Sequence, residues 1–188
     1  MCGIVGFTGH QSAKDVLIEG LKRLEYRGYD SAGIALQNTT NEELTVVHRV
    51  GKVAGLAEAV EYLNNANPCG IGHTRWATHG APSERNAHPH TSCDNQIAVV
   101  HNGIIENHEE LRSALKAKGY EFTSQTDTEV VAHLVHSLVL GGLSLTDAVA
   151  KAIKQLPGAY ALAVISSREP GTVVGTRRGS PLLLGVGG

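Results

Sequence analysis

Leu17, Leu21 and Leu24 fall at helical spacing, with Lys22, Arg23 and Glu25 among the polar positions, and predict a helix over 14–24. Val53 to Tyr62 predicts a short second helix, ended by the breaker run Asn64-Asn65-Ala66-Asn67-Pro68. Asn107 with Glu110 resembles a capping box for a third, which stops at Gly119. Thr126-Asp127-Thr128-Glu129 repeats that pattern ahead of an apolar face of Val130, Val131, Leu134, Val135 and Leu138, and places Asp127 at the first helical position. Ser144 opens a fifth helix running to Ile153.

Between these lie short, β-branched, Gly-punctuated runs that read as strands: 2–8, 33–36, 44–50, 69–74, 96–101, 158–166 and 172–176, with Pro181–Val186 as the start of another. Tyr26 to Gly33 is a turn-rich loop, and 81–95, with Pro82 and Pro89, is a long one. Strands mix with pairs of helices, and strict βαβ alternation is rare. That order favours an α+β fold, antiparallel sheets covered by helices, over a doubly wound parallel sheet.

Composition narrows the picture. The 188 residues suffice for one domain with a real core, and 41% hydrophobic with 18% charged residues fits a globular chain. Aromatics make up 4%, so the core must rest on aliphatic residues. A net charge of −2 gives no reason to expect nucleic acid or an anionic membrane as partner. No apolar run is long enough to span a bilayer, and the N-terminus has no signal-peptide pattern. Cys2, Cys69 and Cys93 are an odd number without close spacing, which points away from disulfides or zinc and towards a reducing cytoplasm.

Four stretches carry candidate chemistry. Cys2 becomes the N-terminus if Met1 is removed, and one residue then holds a thiol and an α-amine of pKa near 8, a nucleophile with its own base. The alternative is a small buried hydrophobe opening a strand. Arg75-Trp76-Ala77-Thr78-His79-Gly80 groups a bidentate carboxylate ligand with polar orienting residues and an aromatic wall; a structural ion pair and a core Trp would read the same. Asn102-Gly103 after a strand offers an amide and a backbone N–H for an oxyanion hole, and is equally a tight-turn dipeptide. Arg75 with Asp127 would hold both ends of an amino acid zwitterion, should the fold bring them together. His73, His79, His88, His90 and His101 lack metal-ligand spacing, so no metal is expected; they are expected, with Asn86, to satisfy loop backbone. There is no nucleotide-binding fingerprint.

Six of these segments together resemble the glutaminase domain of the glutamine–fructose-6-phosphate aminotransferases, within the class II, N-terminal-nucleophile amidotransferases. They are Cys2–Gly6, Leu24–Gly33, His73–Gly80, Asn86–His90, His101–Asn107 and Thr126–Glu129, and the likeness runs to about Leu184. The resemblance implies a four-layer α-β-β-α sandwich spanning 1–188. It implies Cys2 as nucleophile, Asn102 and Gly103 as oxyanion hole, and Arg75, Thr78, His79 and Asp127 as the glutamine pocket. Trp76 would gate the ammonia path, and Arg27 and Gly28 would help close the site. No cofactor is implied.

It further implies hydrolysis of L-glutamine to glutamate and ammonia through a cysteinyl thioester. In the family the ammonia feeds a separate sugar isomerase domain that turns fructose 6-phosphate into glucosamine 6-phosphate, in a protein expected to be a homodimer when full length. The family's glutaminase domain extends past the position of Val186, so this chain is expected to be C-terminally truncated and to lack the isomerase half. Two other readings stand beside this one: an inactive or regulatory piece that binds an amino acid or partner chain, and an amidotransferase with another acceptor.

Overall fold

The computed structural model describes residues 2–38, 43–64, 66–77 and 80–187. Two four-stranded antiparallel sheets stack face to face. The first has the order β1-β4-β2-β3, from Gly3–Thr8, Cys69–Arg75, Ser31–Gln37 and Leu44–Val50. The second runs β5-β6-β7-β8, from His90–Thr91, Ile97–Gly103, Tyr160–Ser166 and Val173–Arg178. Helices α1 (Ala13–Leu24) and α2 (Val53–Val60) cover the first sheet; α3 (His108–Ala117), α4 (Glu129–Leu140) and α5 (Leu145–Ala152) belong to the second.

Three apolar clusters correspond to the three interfaces of this α-β-β-α sandwich. Leu17, Leu21, Leu56 and Val60 pack on Ile34 and Leu36 beneath the first pair of helices. Val131, Leu134, Leu145 and Val149 pack on Ile97, Val99, Leu162 and Val164 under the second. Between the sheets lie mostly short side chains, Ala35, Ile71, Ala98, Val100, Ala163 and Ile165, as two pleated faces about 10 Å apart require. Gln37 clips the sheets together: its amide donates to Ser166 O (2.7 Å), and its Oε1 accepts from Gly171 N (2.7 Å). Cys69 is buried at this interface, and desolvation pushes its thiol up to about 11, so it is a packing residue and not a nucleophile.

The expected elements form, with instructive differences. Ser144 caps α5, its hydroxyl accepting from Asp147 N. Asn107 precedes α3 without a side-chain cap; its amide donates instead to Gln155 O (2.8 Å). Pro181–Val186 is not a strand. It pairs with no strand among the described residues and is largely exposed, with Leu183, Leu184 and Val186 each more than 90% accessible. Helix α4 begins at Glu129, so Asp127 lies one residue before the N-cap Thr128 and not within the helix.

The capping box is also absent there. Thr126 Oγ1 bonds His90 Nε2 (2.9 Å), while Glu129 reaches back to Thr123 N (2.8 Å), Ser124 N (2.7 Å) and Ser124 Oγ (2.6 Å). Desolvation works against the Glu129 carboxylate, but these donors and the His133 ring at 3.6 Å outweigh it and hold its pKa well below the usual range. A depressed folded-state pKa gives stability that is full above the unfolded value near 4.3 and is lost as pH falls towards the folded one. Thermal melts of a Glu129→Gln chain are therefore expected to be less stable than the parent at pH 7, with the gap closing below about pH 4. A gap that stays constant with pH would refute the assignment.

Candidate active site

Gly3 begins the site. A side chain there would strike Leu24 Cβ and Thr74 Oγ1, both at 2.8 Å, so only glycine lets the chain terminus tuck between the end of α1 and β4. Gly3 N then donates to Thr74 Oγ1 (3.1 Å), which sets Cys2 at the mouth of an open cleft of about 1480 Å³ between the two sheets. Cys2 Sγ accepts from Trp76 N–H (3.1 Å) and lies 3.5 Å from Trp76 O. Burial raises the thiol's pKa; the Trp76 contact and the Arg75 charge act in the opposite direction.

The same cleft is lined by Arg27, Arg75, Trp76, Asn102, Gly103 and Asp127. Residues that the sequence scatters over 125 positions, from Cys2 to Asp127, thus share one cavity. Gly28 lies beside it: its N–H closes the 3-10 turn at Glu25 O (3.0 Å), and its φ of 147° favours glycine. Thr78 and His79 lie outside the described residues, as does Met1.

Asn102 and Gly103 are not a turn. They are the last two residues of β6, paired with Ala161 and Tyr160 of β7. Gly103 has φ 122°, and a Cβ there would fall 2.4 Å from Ala159 O. Asn102 Nδ2 donates to Cys2 O (3.1 Å), which joins the second sheet to the backbone of Cys2. A primary amide nitrogen carries a second N–H for an incoming ligand. Asp127 is buried; Oδ2 accepts from Ile105 N (2.7 Å), and Oδ1 lies 3.4 Å from the Thr128 hydroxyl.

Arg75 is 3% exposed, donates to Gly80 O (3.1 Å), and stands 4.0 Å from Asp30 Oδ1. Asp30 is the residue that sequence reasoning missed. Its carboxylate accepts from Ala77 N and Ser31 Oγ, and its backbone N–H donates to Arg75 O (2.9 Å). It thereby fixes both the arginine and the chain that follows Trp76. Its one sequence signal was an acid directly before strand β2, inside the Tyr26–Gly33 stretch.

Asn86 does bond loop backbone, its Nδ2 donating to Ala81 O (3.0 Å), but His88, His90 and His101 bond threonine hydroxyls instead, and His73 bonds strand backbone and Asn102. His88 Nε2 (2.7 Å) and His101 Nδ1 (2.9 Å) converge on Thr128 Oγ1. Asn86 bonds Gln125 through both ends of its amide: Nδ2 donates to Oε1 (3.0 Å), and Oδ1 accepts from Gln125 N (3.0 Å). Loop 81–95 and the 124–128 segment are therefore sewn together behind Asp127. Among the described residues no three His, Cys, Asp or Glu side chains group as metal ligands.

A family model described as a glutamine amidotransferase domain matches residues 73–182, more than half of the chain. The chain belongs to that family. It is 59% identical over 187 residues to the glutamine–fructose-6-phosphate aminotransferase (isomerizing) of Pseudomonas putida, and 58% identical to the enzyme of that name from Haemophilus influenzae. Both alignments take in 100% of this chain and 30% of the relative, so the chain spans about a third of the length of these relatives. Among solved structures, the glutamine phosphoribosylpyrophosphate amidotransferase of B. subtilis superposes with a TM-score of 0.73 at 30% identity, over 89% of this chain and 35% of that one. A class II glutamine aminotransferase domain protein from Silicibacter pomeroyi, 15% identical with a TM-score of 0.59, shares the fold.

Proposed function

We propose that this chain hydrolyses L-glutamine to L-glutamate and ammonia, with Cys2 as nucleophile and its α-amine, once Met1 is removed, as base. The observation that carries the reading is the placement of Cys2, Asn102, Gly103, Arg75 and Asp127 around one cleft at the junction of two sheets. The amine takes the thiol proton, and the thiolate attacks the glutamine amide carbon. The oxyanion accepts hydrogen bonds from Asn102 Nδ2 and Gly103 N. The ammonium returns its proton to the leaving nitrogen, the C–N bond breaks, and ammonia departs. Water then cleaves the γ-glutamyl thioester, with the same amine as base.

Arg75 would hold the α-carboxylate and Asp127 the α-ammonium, with Thr78 and His79 in the same pocket. Trp76, 58% exposed at the rim, would gate the ammonia path, and Arg27 and Gly28 would close the site. By likeness to the aminotransferases named above, the ammonia would serve amino-sugar synthesis from fructose 6-phosphate on a fused isomerase domain in a homodimeric protein. Three free cysteines fit a reducing cytoplasm, and among the described residues no helix is long and apolar enough to cross a membrane.

The test is the state of the amine. Chain with Met1 removed, verified by intact mass, is expected to release glutamate from glutamine, and chain with Met1 retained is expected not to, because an acylated nitrogen is no longer basic. Equal turnover by both forms would remove the amine from the mechanism. Heat stabilisation by glutamine without turnover in the processed form would favour a binding-only role.

Asp127→Asn keeps an acceptor for Ile105 N but loses the charge. It is expected to raise KM for glutamine by roughly 10–100-fold, the loss of a hydrogen bond to a charged group, with a smaller effect on kcat. An unchanged KM would place the ammonium elsewhere.

A further inference from the structure

His73 has no part in the chemistry just described, yet it is fully buried in β4 and faces the opposite sheet. Its Nε2 lies 2.9 Å from Asn102 Oδ1 and 3.0 Å from His101 O. Both neighbours are oxygens, and a carbonyl oxygen can only accept, so Nε2 must carry the proton. The donor settles the Asn102 amide. Rotating that amide by 180° would set Nδ2 against His73 N–H and Oδ1 against Cys2 O, two repulsive contacts in place of two hydrogen bonds.

The ring itself is braced. It lies against the His88 ring at a centroid distance of 4.2 Å. His88 is in turn bonded to Thr128. Space for this layer comes from Gly33, where a Cβ would stand 2.1 Å from His88 O. Burial pushes His73 down to about 3, so the ring stays neutral at working pH and its single N–H is committed.

We infer that His73 is a positioning residue for the oxyanion hole: its Nε2–H holds Asn102 Oδ1, so that Nδ2 stays turned towards Cys2 and the substrate amide. This rests on the assignment of Asn102 to the oxyanion hole. A preorganised donor stabilises charge without reorganising during the reaction, and a donor free to flip loses that advantage.

Three variants test it. Glutamine places an amide N–H near the position of imidazole Nε2, so His73→Gln is expected to stay within about threefold of the parent in kcat, the donor being kept. His73→Leu removes the donor and is expected to lower kcat by roughly 10–100-fold, less than deletion of a whole oxyanion donor, with KM for glutamine little changed. Should leucine prevent folding, His73→Asn, whose shorter amide puts no donor at that point, is expected to show the same loss.

The deciding measurement is the Asn102→Ala background. There His73→Leu is expected to cost less than about twofold, because the group it positions is gone. An equal loss in both backgrounds would overturn the proposal and leave His73 as a packing residue. The Asn102 side-chain amide in 15N spectra gives a readout without turnover: its pair of signals is expected to hold in His73→Gln and to move towards the free-amide position in His73→Leu. Unmoved signals in His73→Leu would overturn the inference even if the parent released no glutamate, a result that would instead count against the glutaminase reading.

Discussion

Gly103→Ala is expected to lose glutamine hydrolysis and stability together. At φ 122° an L side chain is strained whatever the space around it, and here the added Cβ would sit 2.4 Å from Ala159 O and 3.0 Å from Tyr160 Cα. Both neighbours are backbone of the chain entering β7, which pairs with β6, so neither can move without opening the ladder. Strain of this kind costs on the order of 1–3 kcal/mol, and the clash adds to it, so Tm should drop by several degrees. The more telling loss is catalytic. In the proposed oxyanion hole any shift of residue 103 would turn its N–H away from the oxyanion, and loss of one such donor costs roughly 10²–10³ in kcat. A Gly119→Ala chain is the control. Gly119 also has positive φ, but its Cβ would meet nothing within 4 Å and it lies outside the cleft. It should show a modest stability loss and parent-like kcat. If Gly103→Ala kept parent activity, the oxyanion hole would not include that N–H.

Sequence periodicity brought out the layers because each helix and each strand buries a face that its own pattern states. Leu17 and Leu21, or Val131, Leu134 and Val135, mark their core side whatever they pack on. Local signals failed where a partner distant in sequence outbid the local one. Asn102-Gly103 reads as a turn until β7 pairs with it. Thr126 reads as a helix cap until His90, thirty-six positions earlier, takes its hydroxyl. Asn107 gives up its cap to Gln155 O. Asp30 shows locally only as an acid before a strand, because the groups it holds, Arg75 and Ala77, lie more than forty residues away. Pro181–Val186 has strand composition, but composition cannot supply a neighbouring edge.

The site was legible as residue types and not as an arrangement. A thiol at position 2, an Arg–Trp loop and an Asn-Gly pair each had a plain structural reading, and Asp127 read as the first residue of a helix. Only the two stacked sheets bring them to one cleft, and only then does the likeness to glutamine amidotransferases acquire a geometry. The same stacking shows what no motif states: Asn102 bridges the sheets, held by His73 on one side and turned to Cys2 on the other.

Glutamine hydrolysis by the proposed route depends on the Cys2 thiol as the attacking group. Its sulfur accepts from Trp76 N–H and is partly desolvated, which raises the thiol's pKa, so the proposed attack needs the α-amine to take the proton. The most direct measurement is glutamate release from glutamine by processed chain, with Cys2→Ala and Cys2→Ser beside it and folding checked by thermal melting. Both variants should melt close to the parent, because the contacts that hold this terminus, Gly3 N to Thr74 and Asn102 to Cys2 O, use backbone atoms of residues 2 and 3. The predicted result is loss of turnover to background in both variants, with a γ-glutamyl adduct on Cys2 detectable by mass spectrometry only in the parent. Turnover by folded Cys2→Ala at the parent's rate would rule out Cys2 as the nucleophile.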